Sequence, residues 1–236
     1  NKVYNEDKEI VVIPNFNDLD EFRYRYKGNR NSRIIKIGWQ GSTTHFSDLK
    51  MVMPAIKEIM NKYPNVYMEF MGGVEINQVR ELFGEFPDEM FRRVSIIGGT
   101  ASWAGYPWKL SKTNMDIGIC PLIDDEFNRN KSHIKWMEYS SYKIPTVASK
   151  VYPYYQDILG KKTIQQGKTG YLAKTTKDWV KYLSLLIENE QLRKDIGNNA
   201  YNYIKDNWQM KNHYQLYEDL FDKIICNSVT PQTKTE

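Results

Sequence analysis

Residues 33–44 read RIIKIGWQGSTT, and this stretch decides the fold. Its first part, Arg33–Trp39, is rich in β-branched residues and predicts a strand, whereas the glycine and hydroxyl residues after it predict a turn. The segment Asp48–Tyr63 comes next, with apolar residues at helical spacing at Leu49, Met53, Ile56 and Ile59. A strand, a glycine turn and a helix in this order predict the opening of a βαβ unit.

The rest of the chain alternates in the same way. Further strands are predicted at Val66–Met71, Val94–Ile97, Met115–Pro121, Thr146–Ser149 and Gly170–Ala173. Helices are predicted at Glu75–Phe83, Ser132–Tyr142, Trp179–Glu188, Leu192–Trp208 and His213–Cys226, with a short helical or irregular piece at Tyr106–Ser111 and a turn-rich connection at Tyr152–Gly160. This alternation predicts an α/β fold, a single Rossmann-like doubly wound parallel sheet over residues 33–227. We expect residues 1–32 to form a linker into that domain and residues 228–236 a disordered tail.

The composition suits a globular protein of 236 residues, since 41% of them are hydrophobic. The 33 Lys+Arg and 29 Asp+Glu give a net charge of +4, a mild bias toward anionic ligands. The positive charge forms no stripe, which argues against nucleic-acid binding.

Cys120 and Cys226 are too far apart for a metal or redox motif, which predicts free thiols in a reducing compartment. No stretch approaches the roughly 20 apolar residues that span a bilayer, and residues 1–9 are polar, so we expect a cytoplasmic protein without a transmembrane segment.

The predicted sheet also predicts where a ligand binds. In an open parallel sheet the site lies outside the carboxyl ends of the strands, which here are followed by several glycine-containing loops. Glycines at strand ends let a phosphate approach the backbone, and the amides of the next helix can bind it. The same glycines would also suit plain tight turns.

The segment 130–139, NKSHIKWMEY, carries the sharper signal. If Ser132 caps the predicted helix, Lys131 stands at the positive end of the helix dipole, where an anion would relieve the conflict. Lys131, Lys135 and Glu138 are spaced i, i+4 and i+7, which places them along one helical face. Such a row can offer cations to a diphosphate and a carboxylate to the ribose hydroxyls. The alternative is a solvated face with an ordinary Lys–Glu pair.

Other polar and aromatic residues each allow two interpretations. His45 could donate to a phosphate or a sugar or be a surface residue, and His133 has a weaker claim to function. The aromatic rings of Trp103, Tyr106 and Trp108 could stack on a base or simply pack. The acidic run 124–126 is interpreted as a solvated loop, and no metal-binding set, nucleophile or general base is identified.

Four segments of the sequence resemble motifs of a known protein family. Asn130–Ser149, NKSHIKWMEYSSYKIPTVAS, resembles the donor-site segment of retaining glycosyltransferases of the GT-B fold, in the group 1 or family-4-like class. Val11–Phe22, Ile35–Leu49 and Gln165–Ala173 resemble other motifs of these enzymes in the same order. The resemblance runs from about Ile10 to Trp208.

The resemblance implies a two-domain architecture and a chemistry. GT-B enzymes have two Rossmann domains facing across a cleft, the C-terminal one holding the nucleotide sugar and the N-terminal one the acceptor. This chain resembles the C-terminal domain, so an acceptor domain or a partner chain would supply the other half. The implied reaction is transfer of a sugar, typically a hexose from a UDP-sugar, to an acceptor hydroxyl in carbohydrate biosynthesis. No cofactor or metal is needed for it.

The family's site residues carry over by position. Glu138 matches the second Glu of the E-x7-E motif, which binds the ribose hydroxyls, and Lys131 and Ser132 match positions near the diphosphate. Asn130 stands where the first Glu would contact the sugar. The positions implied to contact the nucleotide sugar are Gly41, Ser42, Thr43, Thr44, Thr100, Ala101, Asn130, Lys131, Ser132, Lys135 and Glu138.

Two departures keep alternatives open. Asn130 brings no negative charge, and the loop after Gly41 has Ser42, Thr43 and Thr44 where many members have an Arg and a Lys that hold the phosphates. Both favour a non-catalytic nucleotide or sugar recognition module with the same fold as the rival hypothesis. A sugar-nucleotide epimerase of similar fold would need acidic catalytic residues that are not found.

Overall fold

The computed structural model describes residues 10–26, 28, 33–85, 87–100, 102 and 104–229. The strands are β1 (Ile35–Gly41), β2 (Val66–Gly72), β3 (Val94–Gly98), β4 (Ile117–Cys120), β5 (Thr146–Ser149), β6 (Asp157–Ile158), β7 (Lys161–Lys162) and β8 (Tyr171–Ala173). The helices are α1 (Phe46–Lys62), α2 (Ile76–Phe83), α3 (Asp88–Phe91), α4 (Tyr106–Leu110), α5 (Glu126–Arg129), α6 (Ile134–Ser141), α7 (Tyr152–Tyr155), α8 (Thr176–Glu188), α9 (Glu190–Asn207) and α10 (Gln215–Val229).

Six strands form one parallel sheet in the order β3-β2-β1-β4-β5-β8, and β6 pairs with β7 in a separate antiparallel hairpin. The chain builds outward from β1 to β3 on one side and then from β4 to β8 on the other. The side on which successive strands are added therefore changes between β1 and β4, which are neighbours in the sheet, with Ile37 paired to Ile117. This is the topology of a doubly wound fold, which confirms the predicted α/β class.

Helices cover both faces of the sheet, and strand alternation decides which side chains meet which layer. Along β1, Ile35, Ile37 and Trp39 face a core that includes α1, α2 and α8. The intervening residues point to the opposite face, because successive side chains of a strand alternate. Gln40 consequently lies on the side of the sheet that α4 and α6 cover.

Helix α6 is enclosed on all sides, since seven of its eight residues are buried. Gly118 of β4 permits its close approach, because a Cβ at this position would lie 2.8 Å from the ring of Tyr139. The Tyr139 hydroxyl reaches across the sheet to the carbonyl oxygen of Gly38 at 3.2 Å. The polar residues of α6 are therefore held inside the molecule.

The leading segment packs against the end of the domain. Phe16 and Phe22 are buried, and Asn17 forms a parallel bridge with Gln209. The Asn17 amide donates to the Trp208 carbonyl oxygen at 2.7 Å, and the Met210 amide donates to the Asn17 carbonyl oxygen at 2.9 Å. The boundaries of the proposed linker, domain and tail stay predictions, because residues 1–9 and 230–236 lie outside the described residues.

Two further expectations concern cysteines and membranes. Both cysteines are free, Cys120 buried and Cys226 exposed. Across the part of the chain that the structure describes, we find no helix whose length and apolar character would suit a membrane crossing.

Candidate functional site

A cavity of about 530 Å³ opens at the carboxyl ends of β1, β2 and β3, where the sheet topology predicts a ligand site. It is lined by Gln40, Gly41, Ser42, Thr43, Met71, Gly72, Gly73, Gly99, Thr100, Ser102 and Tyr106. Four residues of the sequence-based site, Gly41, Ser42, Thr43 and Thr100, are thus brought together. The hydroxyl of Thr44 lies 2.7 Å from that of Ser42. Ala101, implied to contact the base, lies outside the described residues, as does Trp103.

Two glycine loops form the floor of this cavity, packed backbone against backbone. Gly72 has a φ of +126°, and a Cβ there would lie 2.0 Å from the carbonyl oxygen of Gly41. The Gly73 amide donates to that same oxygen at 2.9 Å, and a Cβ on Gly73 would lie 2.8 Å from the Thr43 nitrogen. These glycines are therefore required for close approach as well as for turning the chain.

Glu138 lies beside the cavity with its carboxylate held from two sides. Its Oε2 accepts a hydrogen bond of 2.6 Å from Gln40 Nε2 and one of 2.9 Å from the Tyr106 hydroxyl. The residue is 5% exposed, and burial raises the pKa of Glu138 to about 7, although both hydrogen bonds and the charge of Lys135 act in the opposite direction. The sequence predicted a role for Glu138, which stays a prediction, and it did not single out Gln40. Its one signal was a polar residue at the end of a buried strand.

Lys135 is the second buried ionisable residue of the site. It is 9% exposed, and its Nζ has no hydrogen-bond partner among the residues that the structure describes. A Cβ at Gly41 would lie 3.0 Å from that Nζ, and the Trp39 ring centroid is 5.4 Å from it. Burial lowers the pKa of Lys135 to about 8. Lys135 and Glu138 form no ion pair within 4.0 Å, so their interpretation as a solvated Lys–Glu pair is wrong.

The loop before α6 differs from the prediction. The helix begins at Ile134 with His133 as its N-cap, so the expected cap by Ser132 is wrong. The Ser132 hydroxyl instead accepts a hydrogen bond of 2.8 Å from Asn15 Nδ2, a residue far away in the sequence. Lys131 precedes the helix and does not share a helical face with Lys135 and Glu138.

The remaining predicted residues of this loop fall on two further cavities. Lys131, Ser132 and Lys135 line a cavity of about 130 Å³, which brings the two lysines together. Lys131, Ser132 and Asn130 also line a wider cavity of about 660 Å³. Asn130 is exposed, and its Nδ2 donates to the Glu126 carbonyl oxygen at 2.7 Å.

His45 has a structural role. Its Nδ1 lies 2.7 Å from the Asp48 carboxylate, which also accepts from the Ile123 amide at 2.8 Å and from Asn128 Nδ2 at 3.0 Å. The bond to Asp48 raises the pKa of His45, but burial and the charges of Lys135 and Lys131 outweigh it and the net shift is downward. His45 is therefore mainly neutral at pH 7 and supports Asp48, whose carboxylate ties the start of α1 to the loop after β4.

His133 and the acidic run 124–126 make contacts within the fold. His133 is buried against the Trp208 ring, with ring centroids 4.4 Å apart, and burial lowers the pKa of His133 to about 4. Asp124 pairs with Arg129 Nε at 2.7 Å on the surface. Within the described ranges, no group of three or more His, Cys, Asp or Glu side chains could hold a metal ion.

Solved structures share this architecture. The C-terminal domain of a group 1 family glycosyl transferase (LpcC) from Francisella tularensis superposes with a TM-score of 0.61 at 18% identity, over 82% of this chain and 98% of that one. TarM from S. aureus in complex with UDP gives a TM-score of 0.70 at 16% identity over 92% of this chain. The chain has the fold of a GT-B glycosyltransferase C-terminal domain.

Longer GT-B proteins contain this domain as one part. HepE from Anabaena in complex with UDP gives a TM-score of 0.65 at 14% identity over 88% of this chain. The chain spans 40% of the length of TarM and 56% of that of HepE. No model of a known protein family matches the sequence, and no curated protein matches it. The likeness to GT-B domains at these identities concerns the fold.

Proposed function

We propose that this GT-B domain is the donor-binding half of a glycosyltransferase, holding a nucleoside-diphosphate sugar whose sugar is transferred to an acceptor hydroxyl. One observation carries the proposal. A buried ammonium, Lys135 Nζ, lies beside the Gly41 backbone at the carboxyl end of β1, where it contacts the Trp39 ring and has no hydrogen-bond partner among the described residues.

A buried cation without a hydrogen-bond partner is unfavourable unless a negative charge lies close to it. The lowered pKa of Lys135, about 8 against an ordinary 10.5, corresponds to about 3 kcal/mol of destabilised charge. A diphosphate between Lys135, Lys131 and the amides that precede α6 would supply the missing negative charge. This arrangement would also stabilise the diphosphate as it leaves the sugar.

With the diphosphate placed there, the ribose and the base of the nucleotide can be assigned to neighbouring residues. Glu138 lies next to the cavity and can accept hydrogen bonds from ribose hydroxyls. The base would occupy the side of the cavity near Thr100 and Ser102. Ser42 and Thr43 would contribute hydroxyl and amide donors to the phosphates.

Structural neighbours suggest a UDP-sugar as the donor. HepE was solved with UDP-glucose as well as with UDP, and the pneumococcal O-GlcNAc transferase GtfA with UDP and GlcNAc. We therefore propose a retaining hexosyltransferase domain that works in the cytoplasm without a metal ion. Its acceptor side and catalytic groups would come from an N-terminal half, in the same polypeptide or in a partner chain.

Calorimetric titration with UDP, GDP, ADP and UDP-glucose tests this proposal. We expect saturable binding of one diphosphate, and at least a tenfold loss of affinity in Lys135→Met and in Glu138→Ala. Lys177→Met, which removes an exposed lysine from α8, is the matched control and is expected to bind like the wild type. Failure of all four ligands to bind the folded protein would refute the donor-site proposal.

Asn130 favours a second candidate, a recognition module that binds the donor but transfers nothing. Its side chain is exposed and provides no negative charge near a sugar that develops positive charge. Slow hydrolysis of the bound nucleotide sugar, or sugar transfer in the presence of an acceptor half, would decide against the module. Tight binding with neither reaction would favour it.

A further inference from the structure

The two donors on Glu138 share a single oxygen. Gln40 comes from the end of β1 and Tyr106 from the start of α4, and both donate to Oε2. A carboxylate oxygen offers two lone pairs, so Oε2 has none left for a ligand. No described residue donates to Oε1.

We propose that Gln40 and Tyr106 are positioning residues for ribose recognition, because by filling Oε2 of Glu138 they make Oε1 the oxygen that accepts a ribose hydroxyl. The inference rests on the proposed donor site and adds which atom recognises the sugar of the nucleotide. The geometry supports it, since the two donors come from separate elements, β1 and α4, and both reach the same carboxylate oxygen.

In the same arrangement, a proton and a ribose hydroxyl compete for Oε1 of Glu138. A proton on Glu138 must sit on Oε1, where it turns the acceptor into a donor. The pKa of Glu138, about 7, puts this exchange near neutrality. The titratable groups facing it are Lys135 on its own helix, Tyr139, Tyr106 of α4 and Cys120 of β4.

All of these neighbours except Lys135 keep one protonation state around pH 7. Burial, followed by the charge of Glu138, raises the pKa of Tyr106 well above its ordinary value, so the hydroxyl remains a donor. Burial likewise raises the pKa of Cys120 to about 12. Of this group only Lys135, with a pKa of about 8, titrates close to Glu138.

The experiment compares two probes, the best-binding diphosphate among UDP, GDP and ADP and its 2′,3′-dideoxy form. The ratio of their affinities is measured at pH 6, 7 and 8 by calorimetry. Both probes carry the same diphosphate, so protonation of the phosphate and the direct interaction of Lys135 with it cancel in the ratio, and Lys135 acts on the ratio only through the pKa of Glu138. We expect the preference for the ribose form to fall about tenfold from pH 8 to pH 6, as the carboxylate fraction of a group with a pKa near 7 does.

Tyr106→Phe removes one donor and one influence that lowers the pKa of Glu138. We expect the midpoint of the pH dependence to move upward and the ribose preference at pH 7 to fall three- to tenfold, with little change for the dideoxy probe. Gln40→Leu is expected to act in the same direction. Tyr142→Phe is the control, because the Tyr142 hydroxyl also bonds to α4 but donates to the Pro107 carbonyl oxygen, at 2.7 Å, and not to Glu138.

The possible failures are distinct. Equal losses for both probes in Tyr106→Phe, or the same loss in Tyr142→Phe, would mean that Tyr106 only supports the fold, and would overturn the inference. Binding of the diphosphate without any ribose preference in the wild type would overturn it while leaving the donor site intact. Absence of binding by all three diphosphates would overturn both.

Discussion

Two ionisable side chains in this site have pKa values displaced toward neutrality in opposite directions. Burial raises the pKa of Glu138 and lowers that of Lys135, so the site combines an ammonium that has no hydrogen-bond partner among the described residues with a carboxyl group that is partly protonated at pH 7. Perturbed pairs of this kind are concentrated at functional sites, because a site built for a charged ligand is strained without it. On the proposed function, we expect an anionic ligand to offset the unfavourable burial of the Lys135 ammonium.

Lys135→Met is expected to stabilise the free protein while abolishing nucleotide binding. The folded-state pKa of Lys135 lies below the unfolded value of 10.5, so the stability linked to this group is lost as the pH falls through about 8. At pH 7 the substitution should raise the free energy of unfolding by up to about 3 kcal/mol, and the gain should shrink toward pH 10. Urea unfolding at several pH values measures this, with Lys177→Met as the control. A loss of stability at pH 7 would contradict the unpaired-cation interpretation.

At the scale of elements, the strands were the easiest to predict. β5 has the predicted bounds, Thr146–Ser149, because a short buried apolar strand between turns has a clear pattern. Helix α6 was predicted, with Lys131, Lys135 and Glu138 on one face, but the burial of Lys135 and Glu138 and the position of Lys131 outside the helix were not. Seven of its residues are buried, so no polar face exists for periodicity to reveal. The β6–β7 hairpin was missed because each strand has two residues and its turn includes Leu159 at a φ of +55°.

Gly72→Ala is expected to damage the site through the loop after β1. The new Cβ would lie 2.0 Å from the Gly41 carbonyl oxygen at a φ that only glycine adopts readily. We expect a loss of roughly 2–4 kcal/mol in unfolding free energy together with weaker nucleotide binding. Gly160→Ala is the matched control, since its φ is also positive, at +72°, but no atom lies within 4 Å of the added Cβ. Thermal melting and calorimetry check both variants, and equal effects would show that the contact with Gly41 is unimportant.

At the scale of the whole molecule, the sequence was sufficient for the doubly wound parallel fold, and it predicts a ligand site at the carboxyl edge of the sheet, where the structure has a cavity. Alternating strands and helices predict a doubly wound sheet, and such a sheet places ligands at the carboxyl ends of its strands. Contacts between distant segments could not be predicted. The hydrogen bond from Asn15 to Ser132 and the bridge from Asn17 to Gln209 join parts of the chain more than a hundred residues apart.

Phe16→Ala tests whether the leading segment belongs to the folded unit. Its ring stacks on that of His213, with centroids 4.3 Å apart, and the side chain is buried. Truncation of a buried phenylalanine costs about 3 kcal/mol or more, so we expect a clear drop in the melting temperature. Val12→Ala, at a position 85% exposed, should leave it unchanged. Identical melting of the two variants would place the segment outside the cooperative unit.

The bridge between Asn17 and Gln209 also has a mechanical consequence. The two segments run parallel, so tension applied to the chain before Asn17 and after Gln209 pulls them in opposite directions along their length. The two backbone hydrogen bonds at Asn17 would then be loaded together in shear, before any force reached the central sheet. We therefore expect a pulling force on the chain to load this bridge before it loads the strands around the cavity at the carboxyl edge of the sheet.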